Sequence, residues 1–198
     1  DNLEINVRLS QIASDGYIDR AASNLFGYFF NANYVTNSTL IKAIAFGGKE
    51  KTYQAYWGIE DPDKLKNDRT FNPAGMYFDA DGNMKFYDNE TDNYVQNHFQ
   101  LHWSEKWSNQ WTSNLALHYT IGKGYFEQYK EDQTLADYYL PNFEGNSISD
   151  LVRKRWLEND FFGTTFSMNY KTAETDLMIG GAANRYLGNH FAEVVWTP

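Results

Sequence analysis

The chain has 198 residues, no cysteine, a formal net charge of -9 and a pI of about 4.8. Without cysteine it has no disulfides, thiolate nucleophiles or cysteine-based zinc sites. Its acidic balance argues against a nucleic-acid partner, because phosphate backbones are bound by basic surfaces. Mean hydropathy is -0.65 although 18% of the residues are aromatic, and no stretch approaches the ~18 consecutive apolar residues of a membrane helix.

Apolar and polar residues alternate along five segments of the chain, and strict alternation is typical of strands with one apolar and one polar face. The segments are Leu3–Ser10, Phe26–Tyr34, His98–Ser104, Asn114–Ile121 and Phe162–Tyr170. Two further segments, Thr39–Lys49 and Thr175–Tyr186, alternate less regularly and are placed as strands partly by their neighbours. The pattern predicts an all-β fold, an antiparallel up-and-down meander of about seven strands.

The connections between these strands alternate between short and long. Val35–Thr39, Ser104–Gln110 and Lys171–Glu174 are short and polar, whereas the segments at about 50–93 and 122–160 are long. Two loops this long are uncommon in a compact soluble domain. Transmembrane β-barrels, by contrast, combine tight periplasmic turns with long extracellular loops. The alternation of short and long connections therefore favours the interpretation that the chain is part of a larger transmembrane barrel.

Short elements are predicted inside both long loops. Asp61–Lys66 and Ser149–Leu157 are candidate helices, and Met76–Tyr87 has the pattern of a β-hairpin. A turn at Gly82 would supply the positive φ angle of a type I′ turn. The same region partly matches a calcium-binding loop, but Met84 stands where that loop requires glycine, so the hairpin explains the pattern better.

Aromatic residues recur beside the short connections. Indole and phenol rings suit the boundary between lipid tails and headgroups, so these residues are predicted to form a periplasmic aromatic girdle. The candidates are Tyr34, Trp103, Trp107, Trp111 and Tyr170. The alternative is that they are ordinary hairpin aromatics of a water-soluble β-protein.

A second group of aromatic and amide residues lies in the long loops and forms the candidate ligand-contacting set. Aromatic faces beside amides and carboxylates suit sugars, siderophores and other polar ligands, and they equally suit loops that pack on each other. The set comprises Tyr53, Gln54, Tyr56, Trp57, Tyr125, Tyr129 and Trp156. Arg153–Arg155, the concentrated positive stretch of the chain, is interpreted as a solvated loop.

No motif specifies an enzyme. The sequence contains no Gly-x-Ser-x-Gly elbow, phosphate-binding glycine loop or His-Glu-x-x-His pattern, and no cofactor is predicted. If the Ser104–Gln110 turn is symmetric about Ser108, His98 faces His118 on the polar side. Two imidazoles without a third ligand make a poor metal site, so no metal site is predicted.

Four stretches resemble the barrel domain of TonB-dependent receptors from Bacteroidetes-type bacteria. They are LSQIASDGYIDRA from Leu9, GGKEKTYQAYWG from Gly47, FYDNETDNY from Phe86 and HYTIGKGYFEQYKED from His118. In combination and in this order they are specific, and they cover most of Leu3–Asp132. The remainder matches the family only in its strand-and-loop rhythm.

The resemblance implies an outer-membrane barrel of about 22 strands, plugged by an N-terminal domain. Such receptors import a scarce nutrient (a siderophore, cobalamin or a glycan) with energy relayed by TonB. No plug is recognised, so residues 1–198 are expected to be one internal fragment of the barrel domain. The expected partners are outer-membrane lipid, the plug and remaining barrel of the parent receptor, TonB through that plug, and a small-molecule or glycan ligand.

An isolated sheet of about seven strands would expose two edges and a lipid-facing belt, so the separate fragment is expected to oligomerise. The alternative function is a soluble β-sandwich or small barrel that binds carbohydrate through loop aromatics. The two functions differ in where they place six apolar side chains. The soluble protein would bury them in its core, whereas the receptor would expose them to lipid. They are Phe26, Tyr28, Phe30, Leu115, Leu117 and Tyr119.

Overall fold

The computed structural model describes residues 2–198, which form one open antiparallel sheet and a small separate hairpin. In chain order the elements are β1 (Leu3–Ser14), β2 (Ser23–Val35), β3 (Thr39–Tyr53), α1 (Pro62–Asn67), β4 (Met76–Phe78), β5 (Met84–Phe86), β6 (Thr91–Lys106), β7 (Trp111–Thr134), a 3-10 turn (Leu135–Tyr138), β8 (Ile148–Lys171) and β9 (Asp176–Trp196). The sheet order is β1-β2-β3-β6-β7-β8-β9. The predicted all-β antiparallel meander of seven strands is therefore confirmed.

The strand pairing gives the sheet one apolar and one polar face. Residues directly opposite each other in neighbouring strands share a face. One row across all seven strands is Ile5, Ala32, Ala43, Leu101, Leu117, Thr164 and Ala183. The adjacent row, on the other side, is Asn6, Asn31, Ile44, Gln100, His118, Gly163 and Asn184. We call the first side the apolar face and the second the polar face.

One end of the sheet carries three short turns, each held by a hydroxyl side chain. The hydroxyl oxygens of Thr36, Ser108 and Thr172 each accept hydrogen bonds from two backbone N–H groups of the same turn, at 2.9–3.3 Å. Ser and Thr favour such turns because the hydroxyl replaces a backbone partner. The three short connections lie where the sequence predicted them.

The first long loop occupies residues 54–90, which is the predicted loop shortened at both ends by further pairing of β3 and β6. The second was predicted wrongly in extent. β7 and β8 stay paired as far as Thr134 and Ile148, so only residues 135–147 connect them. The sequence misled because polar side chains occupy both faces of these strand ends, whereas backbone pairing does not require alternation.

One of the two predicted helices is confirmed. α1 follows Asp61, whose carboxylate accepts the N–H of Asp63 at 2.8 Å, and Pro62 occupies its first position. Ser149–Leu157 is not a helix, because it belongs to β8, pairs with β7 and from Val152 onward also pairs with β9. Arg153–Arg155 therefore lies in a strand, and its interpretation as a solvated loop was wrong.

β4 and β5 form the predicted hairpin, but its turn is not type I′. Among the turn residues Gly82 alone has a positive φ, of 77°. The Asp79 carbonyl accepts the Gly82 N–H at 2.9 Å, and the Asp79 N–H donates to the Asn83 carbonyl at 3.0 Å. These bonds define a type I turn followed by a left-handed glycine. The Asp79 carboxylate also accepts the Asn83 N–H at 2.8 Å, so it stabilises the turn.

The register of β6 and β7 differs by two residues from the prediction. Opposite residues are arranged around Asn109 rather than Ser108, because Ser108 opens the turn and holds the amides that follow it. His98 consequently lies opposite Thr120, and its Nδ1 is 2.9 Å from the Thr120 hydroxyl. The predicted pairing of His98 with His118 was therefore wrong.

The buried core lies at the long-loop end of the sheet. Within residues 2–198 the buried apolar side chains are Tyr53, Ala74, Leu135, Leu151 and Val152. Each belongs to a long loop or to a strand end that enters one. The six residues that a soluble sandwich would bury are not in this core, and two of them, Phe26 and Leu117, are 47% and 44% exposed.

Asn72 ties the first loop to the strands. It is 2% exposed, its amide donates to the carbonyls of Asp19 and Gln54 at 3.1 and 2.8 Å, and its oxygen accepts the Ala74 N–H at 3.0 Å.

We expect Asn72→Ala to lower the free energy of unfolding of the loop region by about 1–3 kcal/mol, since three backbone groups lose their partner. Chemical denaturation followed by near-UV circular dichroism measures the change. The exposed turn variant Asn37→Ala serves as control, and equal midpoints for both variants would contradict the prediction.

Candidate functional site

The apolar face is uncovered from β1 to β9. Large apolar side chains on it are exposed by 56% at Ile5, 44% at Phe99 and 53% at Phe166. Soluble proteins rarely expose contiguous apolar patches larger than a few hundred Å². The buried core at the long-loop end does not include this surface, so folding of the chain alone leaves it exposed to solvent.

The five predicted girdle residues lie together at the short-turn end of this face. The rings of Trp103 and Trp107 meet edge to face at 5.9 Å, and those of Trp111 and Tyr170 lie 4.7 Å apart. Tyr34 stands in the same cross-strand row as Trp103, two strands away. We call these five residues the lower aromatic row. Their rings offer an apolar body and a polar N–H or O–H, which suits a boundary between apolar and aqueous surroundings.

A second aromatic row crosses the apolar face near the long loops. Tyr125, Trp156 and Phe191 are directly opposite one another on β7, β8 and β9, with ring centroids 4.6 and 5.9 Å apart. Beside this upper aromatic row, Lys123 and Glu158 form an ion pair at 2.5 Å. Aromatic and charged residues therefore bound the apolar surface at both ends.

The distance between the lower aromatic row and the Lys123–Glu158 ion pair equals the length of a transmembrane strand. On β7, residues 112–122 separate the lower aromatic row from Lys123, and on β8, residues 159–169 separate it from Glu158. A tilted strand needs about 9–11 residues to cross the hydrocarbon core. The apolar surface therefore has the height that a bilayer would cover.

Two charged residues interrupt this surface. Asp160 lies near its upper limit, and its carboxylate accepts a hydrogen bond from the Tyr119 hydroxyl. Arg185 lies on β9, opposite Phe162. A long arginine side chain can extend toward the aqueous boundary while its stem stays on apolar surroundings. The apolar face is consequently less uniform at β8 and β9 than at β1 and β2.

Tyrosine side chains lie over glycines on the polar face. Asn159 joins two of them, because its amide donates to the Tyr94 oxygen at 3.0 Å and its carbonyl accepts the Tyr186 hydroxyl. A Cβ atom at Gly122 would collide with Tyr94, and one at Gly188 would collide with Tyr186. The glycines therefore let both rings lie along the sheet, where the rings cover backbone that would otherwise be bare.

A cleft of about 530 Å³ opens on the polar face beside these tyrosines. Its lining comes from β3, β6, β7, β8 and β9 and includes Glu50, Asp92, Arg155 and His190. A volume between roughly 300 and 1,000 Å³ is usual for small-molecule sites. The sequence did not indicate these residues, because they are far apart along the chain and only strand register brings them together.

Three of the predicted ligand-contacting residues make contacts inside the protein. The Tyr53 hydroxyl donates to two loop carbonyls, at 2.8 and 3.1 Å. The Gln54 amide donates to the Glu127 carbonyl at 3.3 Å, and the Tyr129 hydroxyl donates to the Asp150 carboxylate at 2.6 Å. These side chains attach the first loop to β7 and β7 to β8.

The other four predicted residues lie in two separate places. Tyr56 and Trp57 stack on each other at 5.2 Å in the first long loop and are 65% and 55% exposed. Tyr125 and Trp156 belong to the upper aromatic row. The structure therefore does not bring the seven residues together, and Tyr56 and Trp57 are the pair among them that stands free in a loop.

The four stretches that begin at Leu9, Gly47, Phe86 and His118 meet at the base of the first long loop. The Arg20 guanidinium lies 3.5 Å from the Phe86 ring centroid and 5.8 Å from that of Tyr53. The Tyr53 hydroxyl donates to the Tyr87 carbonyl, and the Tyr87 hydroxyl donates to the Glu127 carboxylate at 2.5 Å. We call these five residues the loop-base cluster. It joins residues from all four stretches.

Glu90 adjoins the loop-base cluster and is only 4% exposed. Its carboxylate accepts the N–H of Tyr129 at 3.0 Å. Burial raises the pKa of Glu90 to about 7, against the lowering influence of that N–H and of nearby Lys130 and Arg153. The base of the first loop therefore contains a carboxyl group that titrates near neutral pH.

No protein-family model matches the sequence, and no curated protein shows significant similarity to it. No helix within residues 2–198 is long and apolar enough to cross a membrane. The same residues contain no group of three or more histidine or acidic side chains placed to hold a metal ion. The functional conclusion therefore rests on the geometry of the two faces.

We expect attachment of the first loop to weaken as the pH rises through about 7. The folded pKa of Glu90, about 7, lies above the usual value of 4.5, so its contribution to stability is complete below the usual value and is lost as pH passes the folded one. Glu90→Gln should remove the difference in the apparent Tm of the loop region between pH 5 and pH 8. The exposed variant Glu60→Gln should keep it, and loss of the difference in both variants would assign it to another group.

Proposed function

We propose that this chain forms part of the wall and extracellular loops of an outer-membrane β-barrel, and that the barrel is a TonB-dependent receptor. The receptor imports a scarce nutrient of the siderophore, cobalamin or glycan classes. The observation that carries the proposal is the uncovered apolar face. The lower aromatic row bounds it at one end, and the Lys123–Glu158 ion pair beside the upper aromatic row bounds it a transmembrane strand length away. Lipid is the partner that covers such a face.

The unequal ends of the sheet support an orientation in the membrane. The three turns beside the lower aromatic row are short, whereas both long loops and the buried core lie at the other end. Barrels of the outer membrane place short turns in the periplasm and long loops outside the cell. We therefore assign the lower aromatic row to the periplasmic boundary and the upper aromatic row to the extracellular one.

The free edges of the sheet support a larger barrel. In the part of the chain that the structure describes, β1 and β9 each pair with one neighbour only. β9 has 21 residues, and a long edge strand with unpaired N–H and C=O groups is a template for another strand. Further strands of the receptor would pair with both edges and close the barrel at about 22 strands, around the plug that contacts TonB.

The loop-base cluster supports the family within the class of barrels. Its members come from the four stretches that resemble TonB-dependent receptors, and they form one connected group of hydrogen bonds and ring contacts. Residues that contact one another at one site constrain each other's size and chemistry. The four stretches are separate in sequence, but their resemblance concerns residues that pack together at this one site. That place attaches an extracellular loop to the wall.

Adjacent residues on the two faces provide the test. The chain has no cysteine, so Leu117→Cys and His118→Cys each introduce one thiol, on the apolar and the polar face respectively. In outer-membrane vesicles we expect lipids that carry a quencher to quench strongly a fluorophore attached to the thiol of the Leu117→Cys variant. A water-soluble maleimide should instead label the thiol of the His118→Cys variant. The reverse pattern, or recovery of the protein away from the outer membrane, would contradict the proposal.

An arginine introduced on the apolar face gives an energetic test. A positive charge at the bilayer midplane costs about 2–4 kcal/mol in barrels, so we expect Leu117→Arg to lower the free energy of unfolding in lipid vesicles by that amount. His118→Arg, one residue away on the polar face, should cost less than about 1 kcal/mol because it remains hydrated. Urea titration monitored by tryptophan fluorescence measures both, and equal losses would refute the assignment of faces.

A further inference from the structure

The cleft on the polar face separates acidic from basic groups. Its lower row consists of directly opposite residues from five strands, Glu50, Tyr94, Gly124, Leu157 and His190. Its upper row is Thr52, Asp92, Phe126, Arg155 and Ala192. In both rows the carboxylate stands on β3 or β6 and the basic group stands on β8 or β9. One side of the cleft is therefore acidic and the other side is basic.

The acidic and basic side chains of the cleft have no ionic partners within residues 2–198. None of Glu50, Asp92, Arg155 and His190 takes part in the ion pairs found there. The Arg155 guanidinium lies 5.3 Å from the centroid of the Phe126 ring, so the ring holds it while its N–H groups stay available. Arginine presents a planar set of donors that matches a carboxylate.

The spacing of the strands that carry the charges sets the length of a ligand. Asp92 and Arg155 stand on strands two apart, which is roughly 10 Å, with Phe126 between them. Gly124 has no side chain, and the Tyr94 ring lies against it, so the floor beside Phe126 is a flat aromatic surface. An extended peptide advances about 3.3–3.6 Å per residue, so its two termini are roughly 10 Å apart at three residues.

We propose that this cleft binds a short peptide with free termini. The ammonium group lies toward Asp92 and Glu50, the carboxylate toward Arg155 and His190, and a central apolar side chain contacts Phe126. This inference rests on the proposed transport function, and it names an oligopeptide as the nutrient in place of the siderophore, cobalamin or glycan classes. A neutral glycan would leave both charged sides without a partner, and an anionic siderophore would be repelled by the acidic side.

The binding test uses the protein extracted from the outer membrane in detergent and the tripeptide Ala-Phe-Ala as probe. Isothermal titration calorimetry should detect binding of the free tripeptide. Acetylation of its N-terminus or amidation of its C-terminus should each weaken binding about tenfold, because each removes one charge-assisted contact. Maltotriose should not bind measurably. Equal affinity for the free and doubly blocked peptides, or preference for maltotriose, would overturn the inference.

Two variants assign the ends of the peptide. Arg155→Gln should weaken binding about tenfold and make C-terminal amidation ineffective, and Asp92→Asn should do the same for N-terminal acetylation. Arg8→Gln, on the polar face of the distant strand β1, is the matched control and should bind like the unchanged protein. If all three variants lose binding equally, a general loss of structure is indicated and the assignment fails.

The two proposals fail separately. Correct labelling of the apolar and polar faces together with no peptide binding would leave the barrel proposal intact and reject the peptide site. Failure of the labelling pattern would reject the barrel proposal whatever the titration shows.

Discussion

The backbone hydrogen-bond ladder is the constraint on which the rest of the structure depends. Each of the five inner strands obtains its partners from two neighbours, so the sheet satisfies its polar groups laterally and needs no second layer for that purpose. It still has an apolar face, and the buried core at the long-loop end leaves that face open. In the proposed barrel lipid covers that face, since strands in a bilayer satisfy their backbone groups laterally and turn apolar side chains outward.

Much of the fold was predictable because period two is a strong local signal. Most of β1 and β2, at Leu3–Ser10 and Phe26–Tyr34, has apolar residues at every second position, so their faces followed from the sequence. The short turns were predictable because Thr36, Ser108 and Thr172 supply a hydroxyl where the chain reverses. Both features are properties of neighbouring residues.

What the sequence did not reveal depends on contacts between distant residues. The ends of β7 and β8 pair through residues that are polar on both sides, so local patterning suggested a loop and a helix at Ser149–Leu157. Because Ser108 opens its turn, the register of β6 and β7 differs by two residues from the predicted register. His98 therefore lies opposite Thr120 and not opposite His118. The charged cleft was not predicted for the same reason, since Asp92 and Arg155 are brought near each other by the pairing of three neighbouring strands.

The tyrosines that lie on glycine have a consequence for the space in front of the polar face. A phenol ring that stands upright on a strand would occupy several ångströms of the interior, whereas Tyr94 and Tyr186 lie against Gly122 and Gly188. In the proposed barrel Tyr94 faces inward at the floor of the cleft and Tyr186 just below it, so both rings cover the wall without narrowing the interior of the barrel. A plug or a passing solute would meet a smooth, polar lining there, fastened in place by Asn159.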